Sequence, residues 1–262
     1  MNVLDEIVEN KRSELAELKS RVPLAELKTQ AESASHEHRP FHALFKGTRP
    51  GVLIAEVKPK SPSEGTLIER SPLDIADLYA KSEADVISVL TDKKYFDGSL
   101  ELLQQVRARV PQAILRKDFI IDEYQIYETA LSGADAYLLI AAILSKEELA
   151  RLKKLGSSLG LEALVEIHNE EDLEKVSASG AAVLGINNRN LKTLETDLAV
   201  TERLMPRVPK GTPCISESGI YTAEDVARVH VCGIRGILVG TSILQSPDPL
   251  AKISELKDAL SA

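Results

Sequence analysis

Apolar residues in this chain recur with two alternating periods. From about residue 52 onward, short β-branched runs give way to stretches in which Leu, Ile and Ala mix with Glu and Lys at three- and four-residue spacing. The first pattern predicts buried strands and the second amphipathic helices. Strands are expected at 52–59, 86–91, 113–120, 136–143, 162–167, 183–189, 213–219 and 236–243. Helices are expected near 72–83, 99–110, 122–132, 145–159, 169–179, 197–207, 222–232 and 248–260, several opened by capping residues such as Ser145, Asn169 and Thr222. Gly133, Gly160, Gly180 and Gly233 follow four of these helices, where a left-handed cap belongs. Strand-then-helix alternation specifies a parallel sheet. Eight such units close most simply into an α/β fold of the (β/α)8 TIM barrel type, with a doubly wound open sheet as the alternative.

Residues 1–50 break the alternation. Positions 2–19 predict an amphipathic helix with Leu4, Ile7, Val8, Leu15 and Leu18 broadly on one side, and 23–30 predict another turn or two. No low-complexity linker and no second core-sized block follows. The expected organisation is a single domain, with 51–262 forming the barrel and 1–50 an N-terminal helical extension capping it.

Composition narrows the class without naming a function. With 44% hydrophobic and 27% charged residues in 262, the chain reads as an ordinary folded, soluble protein. A formal net charge of −8 with no basic block disfavours a nucleic-acid surface. No apolar run approaches the ~18 residues of a membrane span, and the opening MNVLDEIVENKR is polar where a secretory signal would be greasy, so no membrane association and a cytoplasmic location are expected. Cys214 and Cys232 lack a C-x-x-C spacing and predict neither a disulfide framework nor a thiolate metal site.

The chemistry is expected where charge interrupts the apolar strands. An inward-facing charge late in a barrel strand is costly unless it serves a site at the C-terminal face. Ile54, Glu56 and Lys58 alternate onto one face, as do Leu115, Lys117 and Phe119, and Gly185, Asn187 and Arg189. Glu166 ends EALVEI, and Ser216, Glu217, Ser218 and Gly219 form the polar tail of another strand. Charges and amides therefore converge at one end of five strands. Gly219-Ile220 and Gly240-Thr241-Ser242 stand after the seventh and eighth strands, the loops on which barrels often hold phosphate.

The segment Ile54-Ala55-Glu56-Val57-Lys58-Pro59-Lys60-Ser61-Pro62-Ser63 resembles the E-x-K-x-x-S-P-S signature of the indole-3-glycerol-phosphate synthase family. The resemblance continues through KYFDG (Lys94 to Gly98), LRKDFI (Leu115 to Ile120), LVEIH (Leu164 to His168), GINNRNL (Gly185 to Leu191), SESGI (Ser216 to Ile220) and VGTS (Val239 to Ser242). In the extension, Arg39-Pro40-Phe41-His42-Ala43-Leu44 is similar to the family's segment before the first strand.

That resemblance implies a carboxy-lyase of tryptophan biosynthesis, a decarboxylase working without metal or cofactor on 1-(2-carboxyphenylamino)-1-deoxyribulose 5-phosphate. It implies Lys117 as general acid, Glu166 as the carboxylate associated with the base of the dehydration, and Glu56 and Asn187 as groups that orient and stabilise intermediates. Lys58 would contact phosphate and is the other candidate proton donor, the division of steps between the two lysines being left open. Ser61, Arg189, Glu217 and Ser218 match further substrate contacts, Phe96 and Phe119 match ring-packing positions, and Gly219, Gly240 and Thr241 match phosphate amides, Thr241 standing where many relatives have Ser. The implied partner is a small phosphorylated substrate; contact with other tryptophan-pathway enzymes is left open.

Other chemistries fit parts of the pattern. Glu56 and Glu166 would serve a glycosidase, but the chain has no Trp and 4% aromatics for stacking sugars. Lys58 or Lys117 could form an aldolase Schiff base. A phosphoribosylanthranilate isomerase would share the phosphate loops but lack the E-x-K-x-x-S-P-S strand. A catalytically silent phosphate-binding protein would not need Lys117, Glu166 and Glu56 together. His36, His38 and His42 read as incidental to metal binding, Ser216 and Ser218 lack a nucleophile elbow, and Lys153-Lys154 and Glu170-Glu171-Asp172 read as solvated helix faces.

Overall fold

The computed structural model describes residues 3–34, 37–47, 51–61, 65–66, 70–177 and 183–261, with the backbone alone at 61, 65 and 66. His36, Pro62, Ser63, Gly180, the end of the helix expected to reach 179 and the side chain of Ser61 lie outside the described residues.

Eight parallel strands form a closed barrel. They are β1 (Val52–Val57), β2 (Val86–Leu90), β3 (Ala113–Lys117), β4 (Ala136–Ile140), β5 (Glu162–Ile167), β6 (Val183–Asn187), β7 (Cys214–Glu217) and β8 (Gly236–Val239). Each pairs with its neighbours in sequence, and β8 closes on β1 through Val52 to Ala55 against Gly236 to Val239. Closure rules out the open-sheet alternative. A two-residue ribbon, Lys60–Ser61 against Gly65–Thr66, follows β1.

The strands are mostly apolar because both faces are covered, the exceptions gathering toward their C-terminal ends. Val52, Ile54, Val86, Leu115, Leu138, Leu164, Val183, Ile215 and Leu238 pack together inside the barrel. Leu53, Ala55, Val57, Ile87 and Val89 alternate with them and pack outward beneath the helices. Several strands stop two or more residues before the apolar pattern does. Beyond the last ladder bonds the chain peels away, so that Lys58, Phe119, Arg189, Ser218 and Gly240 stand in loops at the C-terminal rim. Local signals hold the helices: Ser145 and Thr222 form capping boxes, Asn169 accepts from Asp172 N at 2.9 Å, and Gly133, Gly160 and Gly233 have φ of 83°, 78° and 93°.

The extension threads both ends of the barrel. Helix α1 (Val3–Arg21) buries Leu4, Ile7, Lys11 and Leu15, a stripe at helical spacing in which the third member is a lysine. Leu18, expected on that stripe, is 36% exposed, because α1 contacts the barrel along a narrower face than its composition suggests. Helix α2 (Leu24–Ser33) lays Leu27 and Ala31 against Tyr124, Tyr127 and Ala130. The chain then passes beneath the barrel, where Arg39 Nη1 donates to Val110 O at 2.8 Å and Phe41 and Phe45 join the inner core cluster. No described helix is long and apolar enough to cross a membrane.

Candidate active site

Period-two alternation places one charged or amide side chain above the apolar layers of each of five strands: Glu56 on β1, Lys117 on β3, Glu166 on β5, Asn187 on β6 and Glu217 on β7. They surround Lys117. Its Nζ lies 3.1 Å from Glu217 Oε2, 3.8 Å from Glu56 Oε1 and 3.8 Å from Glu166 Oε2. Above this cage a cavity opens at the C-terminal rim. Of the fourteen expected site residues, twelve line it: Glu56, Lys58, Phe96, Lys117, Phe119, Glu166, Asn187, Arg189, Ser218, Gly219, Gly240 and Thr241. Glu217 instead lies fully buried beneath Lys117 and touches the cavity only through it.

Two glycines create the space these carboxylates occupy. A Cβ at Gly185 would collide with Glu217 Oε1, and one at Gly240 would lie 2.5 Å from Glu56 Oε2. Gly240, expected as a phosphate amide, therefore also has a steric duty toward Glu56.

Burial alone would push Lys117 toward its neutral amine, but Glu217, Glu56 and Glu166 outweigh it and raise the lysine's pKa above its ordinary value. The carboxylates share the cost unequally. Desolvation, reinforced by Glu166 and Glu56, carries Glu217 above the ordinary range despite Lys117. Desolvation also opposes ionisation of Glu166, yet His168, Lys117 and Asn187 together hold it well below that range. At neutral pH the cage thus contains a firmly ionised carboxylate and one inclined to keep a proton.

His168 is a site residue that sequence reasoning carried only as the last letter of LVEIH. Its Nε2 stands 3.2 Å from Glu166 Oε1 and its Nδ1 3.7 Å from Asp172 Oδ2, ion-pair contacts rather than aligned hydrogen bonds. Although desolvation opposes charge, Asp172 and Glu166 raise its pKa to about 9, so the ring is a buried imidazolium. Asn188 is a second such residue. Facing away from the cavity, it donates to Ser216 Oγ and Ser218 O, both at 2.9 Å, and accepts from Thr201 Oγ1 at 2.8 Å. It thereby holds the Ser218-Gly219 turn, whose φ values of 66° and 79° are left-handed and strained at the serine. The doubled Asn in GINNRNL was the available signal, since one residue of the pair had to face outward.

The rim is bipartite. On one side Lys58 Nζ lies 3.3 Å from both Glu56 Oε2 and Thr241 Oγ1, and Ser242 Oγ ties the two glycine loops together through Ile220 O at 2.9 Å. On the other, Phe96 and Phe119 stand 6.1 Å apart at 34° with Leu138 and Ile140 nearby, and Val3, Leu4 and Ile7 of α1 complete an apolar wall. One lobe can hold an anion and the other a flat apolar ring, with Lys117 between them. Ser216 turns outward from this site, and His38 and His42 belong to the opposite end, His42 N donating to Glu162 Oε2.

A family model described as Indole-3-glycerol phosphate synthase matches residues 4–256. A protein of that name from Roseiflexus sp. (strain RS-1) is 45% identical, with 97% of each chain covered. Another from Alkaliphilus metalliredigens (strain QYMF) is 41% identical, covering 98% of this chain and 99% of its own. Among solved structures, 3-hexulose-6-phosphate synthase from Salmonella typhimurium matches with a TM-score of 0.65 at 12% identity, over 80% of this chain and 98% of its own. That likeness speaks for the barrel alone. The family model and the near-complete, closely similar relatives show that the chain belongs to the indole-3-glycerol phosphate synthase family, whose members serve tryptophan biosynthesis.

Proposed function

We propose that the caged lysine drives indole ring closure: 1-(2-carboxyphenylamino)-1-deoxyribulose 5-phosphate becomes indole-3-glycerol phosphate with release of carbon dioxide and water. The observation that carries this reading is the position of Lys117, an ammonium among three carboxylates between an anion lobe and an aromatic lobe.

The substrate's phosphate fits the rim of Lys58, Gly219, Gly240 and Thr241, and its carboxyphenyl ring fits against the apolar lobe of Phe96 and Phe119. Arg189 and Ser218 on the same rim supply the remaining polar contacts. This places the ketose carbonyl over Lys117. As the ring carbon attacks that carbonyl, the new carbon–carbon bond forms and Lys117 gives its proton to the oxygen. An acid with a raised pKa can do so because the acceptor is a developing alkoxide, a stronger base than an amine. The carboxyl group then leaves as carbon dioxide, its bonding electrons returning to the ring. In the last step the hydroxyl departs as water with a second proton, for which Lys58 is placed, and Glu166 removes the ring proton that completes the indole. Glu56 and Asn187 steady the cationic intermediate, and Glu217 acts from below by fixing Lys117. The apolar residues of α1 cover the cavity and keep bulk water from that intermediate. The location proposed for the reaction is the cytoplasm.

Incubating the protein with this substrate in the presence of a chelator tests the reading. Because the chain has no Trp, the protein contributes no indole fluorescence of its own. Product formation with chelator present is expected; no product, or product only when chelator is omitted, would overturn it.

A further inference from the structure

A second buried charge cluster lies beside the cavity, where α1 crosses the loops after β2 and β3. Its centre is Lys11, whose side chain is 7% exposed. Its Nζ stands 2.9 Å from Asp92 Oδ2, 3.1 Å from Asp118 Oδ1 and 2.9 Å from Glu14 Oε2. Leu4, Ile7 and Leu15 flank it on the same stripe of the helix, so an apolar side chain would suit the position by pattern. Burying an ammonium there carries a large desolvation penalty that its partners must compensate. A lysine so placed calls for a reason beyond docking a helix.

The partners supply one. Asp118 directly follows Lys117 and precedes Phe119, whose backbone N donates to Asp118 Oδ1 at 2.8 Å. The other oxygen of Asp118 receives Thr91 Oγ1 at 2.7 Å and Arg116 Nη2 at 2.9 Å. Asp92 Oδ1 accepts from Tyr95 N at 2.8 Å and so caps the single turn Lys93–Phe96 that carries Phe96. Asp92 Oδ2 faces the Lys11 ammonium at 2.9 Å, its one charged partner among the described residues. Each aspartate therefore grips a wall of the cavity with its backbone contacts and grips α1 through the same lysine.

We propose that Lys11 is a positioning residue for ring closure: shared between Asp92 and Asp118, its ammonium aligns Phe96, Phe119 and the strand end bearing Lys117. The inference rests on the reading of the site given above. It makes the docking of α1 and the alignment of the cavity walls one event, since Leu4 and Ile7 of the same helix roof the cavity. Without the ammonium, two buried carboxylates would face each other across its place, and the turn holding Phe96 would shift to bring Asp92 to water.

The test uses the full chain with Lys11→Met, which keeps an unbranched stem, and Lys11→Met with Asp92→Asn, which removes one of the two facing charges. Thermal unfolding, KM and single-turnover indole formation are measured well below each variant's unfolding temperature. Lys11→Met is expected to lose tenfold or more in single-turnover rate and to raise KM severalfold, and the double variant to fall between it and the wild type. A Lys11→Met rate within twofold of wild type, with only the unfolding temperature lowered, would overturn the proposal in favour of a purely structural lysine. If the single variant does not fold, the double variant carries the same criterion. Wild type and Lys117→Met run in the same series: an inactive wild type would overturn the reading of the site and this inference together, whereas a normal wild type beside an unaffected Lys11→Met overturns this inference alone.

Discussion

Buried or half-buried carboxylates ring both ends of this barrel, and the two rings are satisfied in opposite ways. At the floor, Asp135 accepts from Ile114 N, Arg39 N and Arg107 Nη1, each at 2.7 Å. Glu162 Oε2 accepts from Phe41 N at 2.8 Å and His42 N at 2.7 Å, and Asp85 accepts from Leu53 N at 2.8 Å while pairing with Lys257. Backbone amides fix these groups in place. At the mouth, Glu56, Glu166 and Glu217 share Lys117 at 3.1 to 3.8 Å, and Glu217 Oε1 has no hydrogen-bond partner among the described residues. The floor carboxylates staple strand starts to one another and to the extension; the mouth carboxylates converge on one ammonium, with Lys58 as a further cation beside Glu56 and His168 beside Glu166. Saturated burial stabilises, whereas incomplete pairing leaves a charge available for chemistry, which matches the division of labour between the two faces of such barrels.

Among the carboxylates of the two rings, removing the ionised one at the mouth should have the largest effect. Glu166→Gln is expected to lower kcat by about 10²–10⁴-fold, the usual range for a general base, while the protein stays folded. Activity within tenfold of wild type would remove Glu166 from the chemistry.

His168→Gln should cost about tenfold in kcat, less than the ~10²–10⁴-fold of a group that itself moves the proton, because Glu166 loses its imidazolium. It also carries a pH signature. The folded pKa of about 9 lies above the ordinary 6.5, so the stability His168 contributes is complete below about 6.5 and is lost as pH rises through about 9. The gap in unfolding temperature between wild type and His168→Gln should be widest at pH 6 and close above pH 9; a gap independent of pH would mean the ring is neutral.

The smallest effects on rate separate the rings by the sign of the stability change. Asp135→Asn should cost about 1–3 kcal/mol, the penalty for disturbing a buried hydrogen-bonded group, with kcat within twofold of wild type. Glu217→Gln should leave the protein at least as stable as wild type at pH 8 while impairing turnover. Its folded pKa is raised, so the native state is penalised as pH rises through it, and an amide escapes the penalty. Equal destabilisation of both variants would erase the distinction.

Much of the mouth was legible in the sequence because charges are conspicuous inside apolar strands: Glu56, Lys117, Glu166 and Asn187 interrupt runs that have no other reason to be polar. The eight strands were legible for the same reason, since burial on both faces leaves continuous apolar runs. Their ends were not, because loops lining the cavity continue the apolar pattern after the ladder stops, as at Phe119 and Val239-Gly240-Thr241. Partnerships across long separations left no local signal. Nothing near Lys11 announces Asp118, and Phe41 and Phe45 look like loop residues until the barrel floor closes over them. Within the stripe Leu4, Ile7, Leu15, a lysine at the next helical position was the clue that could have been read.

The central claim is that Lys117 is the acid and not merely the counter-ion of the mouth. Single-turnover indole formation and thermal unfolding on Lys117→Met decide it most directly. Met keeps the stem and removes the proton, and Glu217, already inclined to protonate, can take one up when the ammonium is gone. The account predicts a fall in rate on the order of 10³-fold or more, with KM and the unfolding temperature changed little. A Lys117→Met protein that unfolds early yet still forms indole at a substantial rate would contradict it.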